Sequence, residues 1–245
     1  MRIIGVIPAR YSSSRMPGKP IAEICGKPMI WWVYQAALKS ELLTDVIVAT
    51  DDERIYKVCQ ENEIKVKMTR NDHDTPTSRL YEVSTLIDSD LYLMLMGDEP
   101  LIDHRSFSLI VPQGEVTGYY VACLTNIIER PSEVIDFSNQ KCVVNAKRDI
   151  LLISRSPIPY PKGTLDFEYE KVTGIQLFSK DALDFYNRTK KSRLELAEEN
   201  DLMRFVENGI AVKAIKSSYK TISVDTQKDL EAVRKIIREK NLYDK

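Results

Sequence analysis

Residues 3–20 read IIGVIPARYSSSRMPGKP. The run Ile3–Ile7 is β-branched and apolar on every position but one, as expected for a strand covered on both faces. Pro8 then opens a loop of different character. From Met1 to Ala22 there is no acidic residue, so Arg10, Arg15 and Lys19 are uncompensated by their neighbours. Ser12, Ser13 and Ser14 add hydroxyls, and Gly18 permits a positive φ or close backbone approach. Loops that leave the carboxyl ends of parallel strands are where α/β folds bind ligands. Arginine offers a fork of donors and lysine a point charge, so this loop suits a polyanion such as a nucleoside triphosphate.

The same texture continues outward. Val46–Ala49 and Leu91–Met96 are further buried-strand runs, and Met29–Leu38, Glu53–Asn62 and Thr77–Ile87 carry helical spacing. Strand–helix alternation predicts a parallel sheet with right-handed crossovers, in a three-layer α/β fold. Residues 118–178 differ. The short runs Tyr119–Leu124, Cys142–Val144, Ile150–Ile153 and Val172–Phe178 are separated by Pro- and Asn-containing turns, which predicts a smaller mixed or antiparallel insertion. Within it SRSPIPYPKG (154–163) must be extended, because its prolines exclude helix and central strand. Beyond it come a helix over Arg193–Asn208, strands at Val212–Ile215 and Lys220–Val224, and a helix over Thr226–Glu239. Thr226 and Asp229 form a capping box there, and Leu230, Val233 and Ile237 an apolar stripe. The 245 residues read as one domain.

Composition narrows the function classes. Lys+Arg number 35 and Asp+Glu 36, a net charge of −1, which gives no global reason to bind nucleic acid or an anionic membrane. Two histidines and four scattered cysteines without a C-x-x-C pair exclude the usual zinc site. The cysteines read as small buried apolar residues, and His73 as a polar loop residue. No apolar run approaches the ~20 residues of a membrane span, and the opening run is too short for a signal peptide. The expectation is a soluble, cytoplasmic protein. The nine glycines fit neither G-x-G-x-x-G nor the P-loop pattern.

Asp98, in Gly97-Asp98-Glu99-Pro100, ends the strand run Leu91–Met96 and faces the cationic loop. Asp225 follows Lys220–Val224. A carboxylate in such a place can hold Mg²⁺ against phosphate oxygens. Equally, Asp98 can be a turn residue and Asp225 a helix N-cap.

These segments recur as a set. PARYSSSRMPGKP (8–20), GKPMI (26–30), ATDDERI (49–55), MTRNDHDTPTSRL (68–80), MGDEP (96–100), ISRSPIPYP (153–161), the Leu194–Arg204 stretch and VDTQKDLEAVR (224–234) span nearly the whole chain. In this order they resemble the cytidylyltransferases that make CMP-activated acid sugars, nearest the 3-deoxy-manno-octulosonate (Kdo) enzymes. The resemblance implies transfer of CMP from CTP to a small acidic acceptor, with Mg²⁺ as cofactor and pyrophosphate released. It implies a homodimer joined through 118–178, and a place in lipopolysaccharide or capsule synthesis. It assigns Pro8, Ala9, Arg10, Ser13, Arg15 and Lys19 to the nucleotide's phosphates, and Arg70, Thr77 and Arg79 to its base and ribose. Asp98 and Asp225 become metal ligands, and Arg15, Lys19 and Asp98 catalytic residues.

Two regions depart from the family pattern. The usual Ser-Gly-Thr-[Glu/Asp]-Arg is Thr75-Pro76-Thr77-Ser78-Arg79, and the Gly-to-Pro change removes a backbone donor. On the acceptor side Met96 replaces a glutamine, Thr173 and Gln176 stand at a histidine and a tyrosine, and Leu202 replaces another glutamine. Arg155, Glu195 and Glu198 are retained, Arg155 as partner of an acceptor carboxylate. A polar pocket whose hydrogen-bonding groups change discriminates strongly, so Kdo is expected to be a poor acceptor. Two alternatives stand beside this reading: the same chemistry on a phosphonate or other small acid, and an inactive nucleotide-binding homologue.

Overall fold

The computed structural model describes residues 1–12, 16–164 and 166–240. In chain order its elements begin with β1 (Ile3–Ala9), β2 (Glu23–Ile24), β3 (Lys27–Pro28), α1 (Met29–Leu38), β4 (Asp45–Thr50) and α2 (Glu53–Glu61). Next are β5 (Val66–Met68), α3 (Pro76–Leu86), β6 (Leu91–Leu95), α4 (Phe107–Ile110), β7 (Val121–Ile127) and α5 (Pro131–Ile135). Then come β8 (Lys141–Val144), β9 (Ile150–Ser154), β10 (Glu170–Ser179) and α6 (Lys180–Arg188). The last are α7 (Arg193–Glu198), α8 (Met203–Glu207), β11 (Val212–Lys216) and α9 (Gln227–Glu239).

The main sheet runs β11-β7-β10-β6-β1-β4-β5. Every neighbouring pair along it is parallel except those made by β10, which runs antiparallel to both β6 and β7. Residues 118–178 therefore supply two strands to the sheet itself, while the antiparallel pair β8–β9 hangs from β10.

Alternation along the strands builds two cores. Ile3 and Ile7 of β1, with Leu91, Leu93 and Leu95 of β6, meet Ile30, Val33 and Ala37 of α1 and Phe107 of α4. On the opposite face Ile4, Val6, Tyr92, Met94 and Phe178 pack under Leu80 and Val83 of α3, Leu183 and Tyr186 of α6, and Phe205 of α8. A third cluster joins the two ends of the chain. Leu230, Val233 and Ile237 of α9 pack on Ile24, Met29 and Trp32, and the Arg234 guanidinium donates to Glu23 O at 2.5 Å. The capping box of α9 forms as read, with Thr226 as N-cap.

Two elements differ from the sequence reading. Lys220–Val224 belongs to no strand. The segment crosses the carboxyl edge of the sheet, where Val224 N donates to Asp98 O at 2.8 Å; Val224 is buried but Ile222 is exposed, so the alternation does not mark a paired strand. The helix read over Arg193–Asn208 is broken into α7 and α8, with Glu199 in the left-handed region at φ 49°. Asn200 restarts the chain, its Oδ1 accepting from Leu202 N at 3.0 Å. No helix among the described residues is long and apolar enough to cross a membrane.

Candidate active site

β1 and β6 lie side by side and end together, so the loop after Ala9 and the turn at Asp98 share one edge. Gly18 closes the loop: its N–H donates to Tyr11 O at 2.9 Å, its φ is 71°, and a Cβ there would meet the Tyr11 ring at 3.1 Å. The Arg54 guanidinium covers Tyr11, 3.3 Å from the ring centroid. So anchored, Lys19 reaches across the edge. Its ammonium lies 2.6 Å from Asp98 Oδ2 and 3.0 Å from Asp225 Oδ1. Burial alone would lower the Lys19 pKa; the two carboxylates outweigh it and hold it above its ordinary value. Arg10 is exposed. Pro8 and Ala9 form the end of β1. Ser13 and Arg15 lie outside the described residues.

The donor set suits Mg²⁺. Two carboxylates from separate segments converge on one cation, and Mg²⁺ is commonly held by one or two carboxylates with the rest of its shell from phosphates and water. No group of three or more His, Cys, Asp or Glu side chains arranged for a metal occurs among the described residues.

The base loop is built from buried bonds. Arg79, 4% exposed, pairs with Asp51 at 3.1 Å and donates to Thr69 Oγ1 at 2.5 Å. It thereby ties the ends of β4 and β5 to α3. Thr77 is fully buried, its hydroxyl on Asp201 Oδ2 at 2.5 Å. His73 bonds Glu82, which also accepts from Arg70 N at 3.0 Å; the Arg70 side chain itself is exposed. Glu82 is opposed by burial, yet His73 and Arg70 keep its pKa below the ordinary value. Pro76 and Ser78, the departures from the family motif, are helix-start residues here. Thr75 is the N-cap, Ser78 completes a capping box, and Pro76 occupies the first turn, where its missing N–H costs nothing.

The acceptor-side residues fall into two groups. Met96 and Thr173 flank Gly174, and Met96 N donates to Gly174 O at 2.9 Å. Gln176 pairs across β10 with Met94; it is 7% exposed and its Oε1 lacks a hydrogen-bond partner in the described structure. The second group is internally bonded. Glu198 accepts from Ser154 Oγ at 2.6 Å and Arg155 N at 2.8 Å, and the Arg155 guanidinium donates to Glu198 O and Phe137 O, both at 3.0 Å. Glu195 closes the α7 capping box and takes a two-pronged pair from buried Arg204, at 2.5 and 2.7 Å. Leu202 is fully buried among apolar side chains.

The chain as a whole is similar to known proteins. A cytidylyltransferase family model matches residues 4–236. The chain belongs to the cytidylyltransferase family. The 3-deoxy-manno-octulosonate cytidylyltransferase of Escherichia coli is 40% identical over 233 residues, covering 95% of this chain and 94% of that one. The protein of that name from Solibacter usitatus is 35% identical, covering 97% and 95%. A solved CMP:2-keto-3-deoxy-manno-octonic acid synthetase complexed with CTP superposes with a TM-score of 0.88 and 38% identity, over 98% of this chain and all of that one.

Within this cytidylyltransferase the sequence reading missed Glu99. It is buried, with Oε1 accepting from Gly174 N at 2.8 Å. Burial, then the neighbouring Asp98, push its carboxyl up to about 7. Its signal was present: a second carboxylate directly after Asp98, before a proline, has no solvent side to turn to.

Proposed function

We propose that this cytidylyltransferase transfers CMP from CTP to a Kdo-like 2-keto-3-deoxy sugar acid, releasing pyrophosphate. The carrying observation is the convergence of Lys19, Asp98 and Asp225 on one edge of the sheet, in a chain 38% identical to a synthetase solved with CTP. The nucleotide's phosphates lie along the loop after β1, against Arg10, Arg15 and Lys19, and its base against 70–79. Asp98 and Asp225 would hold Mg²⁺, which would supply charge neutralisation on the triphosphate. An acceptor oxygen attacks the α-phosphorus in line. The bond to the bridging oxygen of the β-phosphate breaks, and its electron pair leaves with pyrophosphate. Lys19 and Arg15 stabilise that leaving charge, and the rest of the catalysis is positioning.

The acceptor is an acid other than Kdo itself, a phosphonate or related small acid being the second reading. Met96 and Leu202 offer no hydrogen bond where relatives carry glutamines, whereas Arg155 is kept. The test is pyrophosphate release with CTP, UTP, ATP and GTP against a panel of keto-deoxy, amino-sugar and phosphonate acids. CTP with one anionic acceptor is expected to stand out; release without dependence on any acceptor, or none with any pair, sinks the reading.

Ile135, Phe137, Leu151 and Tyr160 are all more than half exposed on 118–178. Exposed apolar side chains in this number fit a homodimer joined through that region. The reading puts the enzyme in the cytoplasm, supplying activated sugar acid for lipopolysaccharide or capsule.

A further inference from the structure

Asp98 and Glu99 are adjacent in the chain and face different ways. Asp98 turns to Lys19, while the Glu99 carboxyl turns inward. Glu99 Oε1 takes the Gly174 N–H at 2.8 Å, and Glu99 N donates to Met96 O at 3.2 Å. With the Met96 N–H on Gly174 O, the turn that carries Asp98 is clasped onto β10 from both sides. The contact requires glycine: a Cβ on Gly174 would sit 2.6 Å from Met96 Cβ and 2.8 Å from Glu99 Cδ and Oε1. Thr221 faces the same carboxyl, and neither its hydroxyl nor Glu99 Oε2 closes a bond of normal geometry. Thr221 opens the segment that returns through Val224 N to Asp98 O, at 2.8 Å, and so delivers Asp225. One buried side chain thus touches the Asp98 turn, the Thr173–Gly174 stretch inside β10 and the segment carrying Asp225.

We infer that Glu99 is a positioning residue that aligns the two carboxylates with the Thr173–Gly174 stretch of β10. The inference rests on reading Asp98 and Asp225 as the metal carboxylates. A side chain that orients ligands without touching the metal contributes through their geometry, and replacing such partners typically costs ~10–100-fold in metal affinity or activity. A residue that only fills the core would change stability and leave those quantities alone.

The test uses the full chain as wild type, Glu99→Gln, Glu99→Leu and Thr221→Val. Mn²⁺ binding is followed by electron paramagnetic resonance with CTP present and no acceptor, and kcat and the two KM values are measured separately. Glu99→Leu is expected to weaken Mn²⁺ binding and lower kcat, each within that ~10–100-fold range, and to raise the acceptor KM. Glu99→Gln keeps an oxygen for the Gly174 N–H and offers an N–H to Thr221, and it should restore all three. Wild-type Mn²⁺ affinity and kcat in folded Glu99→Leu overturn the inference, as does a Glu99→Gln variant as impaired as the leucine. If Glu99→Leu does not fold, Thr221→Val is decisive: weakened Mn²⁺ binding supports the inference and wild-type binding overturns it. Absence of Mn²⁺ binding by the wild type with CTP would instead sink the metal reading, and the split between kcat and the two KM values would still decide the role of Glu99.

Discussion

Lys19 stands between two carboxylates that approach from separate parts of the chain, and Lys19 and Asp98 each have their own expected phenotype. Lys19→Ala removes a donor from the leaving pyrophosphate and should lower kcat by ~10²–10³. Stopped-flow or steady-state pyrophosphate release measures it, and an undiminished rate would make the loop a mere basic surface. Asp98→Asn should collapse turnover while circular dichroism and Tm stay close to wild type, because the asparagine is the same size and Asp98 O still receives the Val224 N–H. Near-normal release would remove Asp98 from the site. These residues were legible because each sits at the end of an apolar run or beside a cluster of like charge. Thr77 and Arg79 were legible as positions in a motif and not as buried anchors. Their partners, Asp201 and Asp51, lie on other elements, and no local pattern announces a bond across that separation.

The start of α3 meets the turn before α8 through Asp201, whose carboxylate accepts both the Thr77 hydroxyl and the Thr77 N–H. Burial raises its pKa above the ordinary value. A raised carboxyl favours the folded state most at pH below the unfolded value, and that contribution is lost as pH rises through the folded one. Asp201→Asn keeps an oxygen for Thr77 and no longer titrates. The variant's Tm should therefore gain on the wild type's as pH climbs above the ordinary aspartate range, and a gap that shrinks with rising pH would contradict this. Gly174→Ala tests packing at the neighbouring strand. Its new methyl has no room against Met96, and overpacking of this kind costs about 1–3 kcal/mol, visible as a lower denaturation midpoint. The helices and parallel strands were readable because amphipathic period and burial agree along them. Lys220–Val224 and the break at Glu199 were not. The first has strand-like alternation but a backbone committed to Asp98, and the second lacks the glycine or proline that usually marks a helix end.

For the whole molecule, the acceptor decides what the enzyme makes. If the family pattern's polar groups at these positions hold the sugar, each hydrogen bond that this chain lacks leaves a group desolvated at ~1–3 kcal/mol. Two or three such losses lower kcat/KM for Kdo by about two to five orders of magnitude. Side-by-side kinetics with Kdo and other sugar acids checks this, and a kcat/KM for Kdo above ~10⁴ M⁻¹s⁻¹, an ordinary enzyme value, would show that Met96, Thr173, Gln176 and Leu202 were over-read. Sedimentation at micromolar concentration should give a dimer, and a strict monomer would leave the exposed apolar side chains of 118–178 unexplained.

Lys19 and Asp225 are 206 positions apart, and the cluster under α9 ties the same two regions together. During synthesis on the ribosome, a nascent chain that has released everything through β11 already has each strand of the sheet, yet only one of the two carboxylates. Chemistry therefore begins after the sheet can form. On the reading of Asp98 and Asp225 as the metal carboxylates, a chain stopped just before Asp225 should make no product, and it would leave bare the apolar face that α9 covers at Ile24, Met29 and Trp32.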